Sequence, residues 1–207
     1  MKKGLFAGLG CLGIAVIGIL AIVIIGGVLA YNFNNKAVVL QEDAKTAWSN
    51  VESAYQRRSD LIGNLVKTVQ GAADFERNTL KEVIEARAKA TAVNIDPSNI
   101  TPDQMAQFQQ AQGGLTSALS RLLVTVERYP DLKANQNFLN LQTQLEGTEN
   151  RINVERNRYN EQVGVYNKHL KVLPNSLFAG MLGFNEMTRF KAEEGTEKAP
   201  DIDFNFE

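Results

Sequence analysis

One cysteine and one histidine in 207 residues leave no material for a disulfide framework or a Cys/His zinc site. Five prolines are too few for a loop-rich all-β design. Charge of one sign is not in excess. The 22 Lys and Arg stand against 23 Asp and Glu, a balance with no sign of a nucleic-acid partner. No phosphate-cradling loop is present, since Gly113-Gly114 falls inside a helical pattern and no Lys-Ser/Thr follows it. Nucleophilic chemistry has equally little to work with. Cys11 sits in an apolar run, and His169 falls near the end of a helical segment, where an imidazolium suits the helix dipole. The residue content is weak for catalysis, and no enzyme activity and no cofactor are expected.

What is present is distributed unevenly. From Leu5 to Ala30 there is no charged and no strongly polar residue. As a helix this run is about 39 Å long, more than the hydrocarbon core of a bilayer, so residues 5–30 are read as a transmembrane helix in contact with the lipid bilayer. A cleaved signal peptide ending at Val28-Leu29-Ala30 and a lipoprotein anchored through Cys11 are the rival readings. The run is too long for the first, and apolar residues continue past Cys11. Lys2 and Lys3 precede the run, while Lys36, Lys45, Glu42 and Asp43 follow it. The positive-inside rule then puts residues 1–4 in the cytoplasm and the remainder outside, as a single-pass protein of the cytoplasmic membrane. Gly4 and Gly8 form a small-residue pair suited to self-association of such helices, although glycine is frequent in membrane helices in any case.

Residues 31–190 carry long stripes of apolar residues three and four apart. One comprises Met105, Phe108, Leu115, Leu119, Leu122, Val126 and Tyr129, with Gln112 as its polar position. Another comprises Phe138, Leu141, Leu145, Ile152, Tyr159, Val163, Tyr166 and Leu170, interrupted by Thr148 and Glu155. A third runs Ile62, Val66, Val69, Ala73, Leu80, Val83. The fourth uses Leu40, Ala44, Ala47, Val51 and Ala54, with Trp48 and Tyr55 beside it. Such spacing is a coiled-coil-like seam for shallow helix packing. Thr101-Pro102 reads as a cap and first helical residue, and Tyr129-Pro130 as a sharp turn. Leu173-Pro174 ends the last long helix. A break near Ser59 or Asp60 yields helices of comparable length, and the fold expected is an antiparallel up-down-up-down four-helix bundle. Residues 191–207 read as a mobile tail, with an extended alternation from Ile202 to Phe206.

Three strings resemble the LemA family of bacterial membrane proteins. They are Ala47–Val51 with Tyr55–Val66, Glu127–Phe138, and Tyr159–Asn167. The resemblance reaches the Gly183-Phe184 and Phe190–Ala192 regions. It implies one N-terminal membrane helix, a helical-bundle domain and no established enzyme activity. The family pattern usually has Pro where this chain has Gly63, which weakens the case for a helix start there.

The role expected is that of a non-enzymatic, membrane-anchored adaptor or scaffold touching an unidentified membrane or envelope partner. The alternative is an accessory subunit that holds a peptidase or an ATPase at the membrane. With a break near residue 59, two outer turns meet about 38 Å from the membrane. They bring together Arg57, Arg58, Asp60, Asn64, Asp131, Lys133, Asn135 and Asn137, as mutual helix caps or as a contact surface. The asparagines, Asn160 and Asn167 among them, either fix helix register or read a peptide backbone. Glu76 and Glu155 near the seams are either solvated or paired, or metal-bridging. Leu177 to Phe184 either closes the base of the bundle or lies at the bilayer interface.

Overall fold

The computed structural model describes residues 3–71 and 75–191, with side chains from Val16 onward. Six helices follow one another: α1 Lys3–Gln70, α2 Arg77–Ala92, α3 Pro102–Val126, α4 Pro130–Lys133, α5 Gln136–Lys171 and α6 Asn175–Met181. No strand occurs among the described residues. The side chains of Gly4, Gly8 and Cys11 lie outside the description, as do Ala73 of the third stripe and the tail after Lys191 with its Ile202–Phe206 alternation. The chain divides into two compact units. One is built from the residues up to Thr46 and from Gln162–Met187, the other from Ala47–Glu161 and the residues from Thr188 on.

In the first unit, α1 is long and apolar enough to cross a membrane. Ile17, Leu20, Ile22, Val23, Ile24 and Val28 point outward on all sides and are exposed. From Phe33 the pattern changes to a seam, with Phe33, Ala37, Leu40 and Ala44 buried and the residues between them mostly open. Val163, Tyr166 and Leu170 of α5 are buried in the same unit. The short α6 ends in a left-handed turn. Gly183 takes φ +76, and Phe184 N–H donates to the Ala179 carbonyl at 3.0 Å. This closure needs a residue without Cβ strain. Phe178 and Phe184 lie 6.1 and 5.6 Å from Phe33, ring to ring.

The second unit holds the main core. Ile62, Leu65 and Val69 of α1, Leu80 and Val83 of α2, Leu115, Leu122 and Val126 of α3, Leu132 of α4, and Phe138 and Leu145 of α5 pack as one cluster. The seam extends over its polar members, because Gln112, Thr148 and Glu155 are buried along with their apolar neighbours. The start of α3 follows the sequence reading. Thr101 Oγ1 accepts from Gln104 N–H at 3.2 Å, and Gln104 Oε1 accepts from Thr101 N–H at 3.0 Å, with Pro102 in the first turn. Pro130 opens α4 after Tyr129, whose backbone is not helical (φ −120, ψ 87).

Two helix boundaries differ from expectation. No break occurs near Ser59: α1 runs on to Gln70, and the connection lies between Gly71 and Glu76. The reason is the stripe itself, since Val51, Ala54, Arg58, Ile62, Leu65 and Val69 keep the three-and-four spacing and are all buried. Gly63 is tolerated because its missing Cβ makes room for the Arg87 guanidinium, whose Cζ would lie 3.3 Å from that Cβ. The sharp turn read at Tyr129-Pro130 does not lead directly into the last long helix either. A single turn, α4, comes first, and Asn135 then caps α5 by accepting from the Asn137 and Phe138 N–H groups at 2.9 and 3.3 Å.

Candidate functional site

The eight residues expected at one tip are divided by the structure. Arg58 lies inside the C-terminal part of α1, not at a helix end, and is 4% exposed. Its guanidinium meets Glu149 Oε2 at 2.9 Å, Gln112 Oε1 at 2.5 Å and Thr116 Oγ1 at 3.3 Å, and it lies 5.0 Å from the centre of the Tyr55 ring. A buried cation needs such neighbours, because taking it out of water unpaired is costly. Arg58 therefore ties α1 to α3 and α5 and is not a helix-terminal cap. A groove of roughly 150 Å³ opens beside it, floored by Ile62, Leu119, Leu123 and Leu145.

Arg57, Asp60 and Asn64 are exposed. They line a shallow polar groove together with Glu52, Gln56 and Arg151. Asp60 accepts from Gln56 Nε2 at 3.0 Å and lies 3.8 Å from Arg87. The other group serves the turn that holds it. Lys133 pairs with Glu127, Asp131 sits in the first turn of α4, and Asn135 and Asn137 form the start of α5. The neighbour of that turn is the α1–α2 connection, through Arg128 with Glu76 at 3.2 Å and Tyr129 with Phe75 at 4.9 Å. Glu155 is buried against Arg158 at 3.1 Å, so the two seam carboxylates each hold an arginine. His169 is occupied structurally, stacked at 5.2 Å on Phe33 with Asn175 Nδ2 3.2 Å from its Nδ1.

A second arrangement was visible in the sequence only as one of two readings of the asparagines. Residues 184–191 have neither helix nor strand, and their backbone is read by side chains of α5. In the second unit, Asn160 donates through Nδ2 to the Phe190 carbonyl at 3.2 Å and accepts Phe190 N–H at Oδ1 at 2.9 Å. Tyr159 donates its hydroxyl to the Thr188 carbonyl at 2.8 Å. Thr188 Oγ1 in turn donates to the Ile100 carbonyl at 2.6 Å. In the first unit the dipeptide recurs: Asn167 exchanges two 2.9 Å bonds with the Met187 backbone, and Tyr166 donates to the Asn185 carbonyl at 3.0 Å. A carboxamide satisfies one N–H and one C=O at once, as a neighbouring strand would. Seven residues of helix rise about 10.5 Å and three of extended chain about 10 Å. That match accounts for Tyr-Asn pairs seven apart meeting partners three apart.

Phe190 anchors this strap. Its ring stacks 5.7 Å from Trp48 and meets Tyr159 at 5.6 Å and Phe108 at 6.3 Å, with the Arg156 guanidinium 4.9 Å above it. Burial pushes the Tyr159 hydroxyl well above the ordinary tyrosine range, and raises that of Tyr166 as well. Both therefore stay protonated and remain donors. The partners Gln112, Glu149 and Phe190 were not singled out as site residues by sequence reasoning. The stripe positions carried a signal for Gln112, whereas Glu149 and Phe190 are revealed only by packing.

The model of the LemA family matches residues 47–204. Magnetosome protein MamQ 2 of Paramagnetospirillum magneticum is 28% identical over 193 residues, covering 85% of this chain and 71% of the relative. Magnetosome protein MamQ of Magnetospirillum gryphiswaldense is 28% identical, covering 75% of this chain and 64% of the relative. Protein LemA of Metamycoplasma hominis is 25% identical, with coverage of 74% and 67%.

Proposed function

We propose, from the premise that this chain belongs to the LemA family, a non-enzymatic, membrane-anchored helical adaptor or scaffold working through protein contacts. The observation that carries this reading is α1. Its outward apolar side chains from Val16 to Leu29 and its buried seam from Phe33 to Val69 belong to one uninterrupted helix. An anchor fused in this way to a packed domain holds that domain at a membrane. The family's relatives include magnetosome proteins and a protein known simply as LemA, which supports a shared architecture put to different uses.

The finer architecture proposed is an antiparallel four-helix bundle. Its support is the order of cross-helix pairs. Glu82 with Arg121, and Glu76 at the start of α2 with Arg128 just past α3, run in opposite directions along the two helices. Trp48 with Tyr159 and Arg58 with Glu149 do the same along α1 and α5. The compartment proposed is the cytoplasmic membrane, with residues 1–4 inside and the bundle outside, on the strength of Lys2 and Lys3.

The contact surface proposed is the exposed groove of Arg57, Asp60 and Asn64, since Arg58 is consumed internally. A photo-reactive side chain at Arg57 or Asn64 is expected to give discrete crosslinked species in intact cells, and one at Val124, 72% exposed on α3, is expected to give none. No crosslinks from either groove position, with the protein folded in the membrane, would overturn the contact reading.

A further inference from the structure

We infer that α6 and its flanks form a second membrane contact, an interfacial foot that rests on the bilayer beside the anchor. The inference rests on α1 crossing that bilayer. Phe178 and Phe184 face inward onto Phe33, so they close the base of the unit. Their neighbours do the opposite: Leu173, Leu177 and Met181 are 77%, 64% and 82% exposed. Leu177 and Met181 are four apart on one short helix and share a face, and Leu173 and Leu182, also exposed, extend the apolar surface at either end. A contiguous patch of this kind on an otherwise polar domain marks an interaction site.

The occupant follows from where the patch is attached. Phe33, the ring that α6 packs against, comes three residues after Ala30, about 4.5 Å along the helix. Between them Tyr31 is 67% exposed, and tyrosine is the side chain enriched at the level of lipid headgroups. The apolar run from Leu5 exceeds the hydrocarbon thickness, which leaves its end among the headgroups. A patch fixed to Phe33 is thus at the depth where an amphipathic segment lies in the interface. Exposed Lys168 on the last turn of α5 supplies a cation suited to lipid phosphates, while Lys171 beside it is paired with Glu186 at 2.8 Å.

The test uses the full chain with Cys11→Ser, reconstituted in phosphatidylcholine vesicles containing a minority of phosphatidylglycerol. Single cysteines at positions 22, 177, 181 and 124 carry an environment-sensitive fluorophore. Quenching by lipids spin-labelled deep in the chain is expected at 22, and quenching by lipids spin-labelled near the headgroup at 177 and 181. At 124, aqueous iodide is expected to quench instead. If 177 and 181 behave like 124 while 22 reports lipid, the foot is overturned and the anchor stands. If 22 also reports water, the anchor reading falls and the foot with it. Protection of 177 and 181 from both quenchers would mean a protein occupant, which also overturns the inference. As a second check, Leu177→Gln with Met181→Gln should remove lipid quenching from a label at 173 without lowering the melting temperature.

Discussion

Arg57 and Arg58 are adjacent in sequence and opposite in role. One is open to solvent, and the other is held by Glu149, Gln112 and Thr116. Arg57→Gln should leave stability within about 0.5 kcal/mol, as for a surface change away from special features. Arg58→Gln should cost about 3 kcal/mol, the lower end for breaking a buried ion pair, because Glu149 keeps access to water. Thermal or denaturant melting of the two variants separates these outcomes. The distinction was present in the sequence, because Ala54, Arg58 and Ile62 are four apart and Arg57 is off that stripe. Placing a helix end at residue 59 hid it. Tyr159 supplies a pH test. Its hydroxyl pKa is raised in the folded protein, so the folded state retains a proton that the unfolded chain loses near pH 10. Stability is then fully present below about pH 10 and falls as pH rises beyond it. Tyr159→Phe should flatten the alkaline fall in melting temperature, and an unchanged slope would locate the effect elsewhere.

At the scale of elements, α1 is the point of disagreement between pattern and structure. A helix starting at 59 would accept proline at its first position, whereas the interior of a continuous helix would not. Asp60→Pro is therefore expected to destabilise by about 3 kcal/mol or more, and wild-type melting would restore the break. Elements with local chemistry were legible. The N-cap at Thr101 with Pro102 behind it and the turn at Tyr129-Pro130 depend on adjacent residues, and both are where the sequence puts them. The strap was not, because an extended segment with mixed polarity carries no periodic signal and its partners lie 20 to 30 residues earlier. Hydrogen exchange checks its clamps one at a time. Asn160→Ala should speed exchange of the Phe190 amide, and Asn167→Ala that of Met187, each without global unfolding.

At the scale of the whole molecule, membership of the family and a helix long and apolar enough to cross a membrane were legible because both reside in composition and in long strings. How distant positions pair was not, since Arg58 and Glu149 are 91 residues apart and nothing local specifies their meeting. The orientation across the membrane is an expectation from charge alone. A cysteine placed between Asp96 and Ile100, beside the exposed Asp96 turn, should react with a membrane-impermeant thiol reagent in intact cells whose outer barrier, if any, has been permeabilised. Protection until the cytoplasmic membrane is lysed would invert the topology.

The chain has a single tryptophan, and Trp48 is fully buried under the Phe190 ring. The Phe190 ring stacks on its indole beside Phe108 and Tyr159, so its emission is expected to report whether Phe190 is in place. Blue-shifted emission is expected with Phe190 in place, and a red shift that precedes loss of helical circular dichroism is expected on release of Phe190 from a second unit whose helices are intact. The occupancy of the strap, in detergent or in a bilayer, with or without a bound partner, can thus be followed in the unlabelled protein by the colour of its fluorescence.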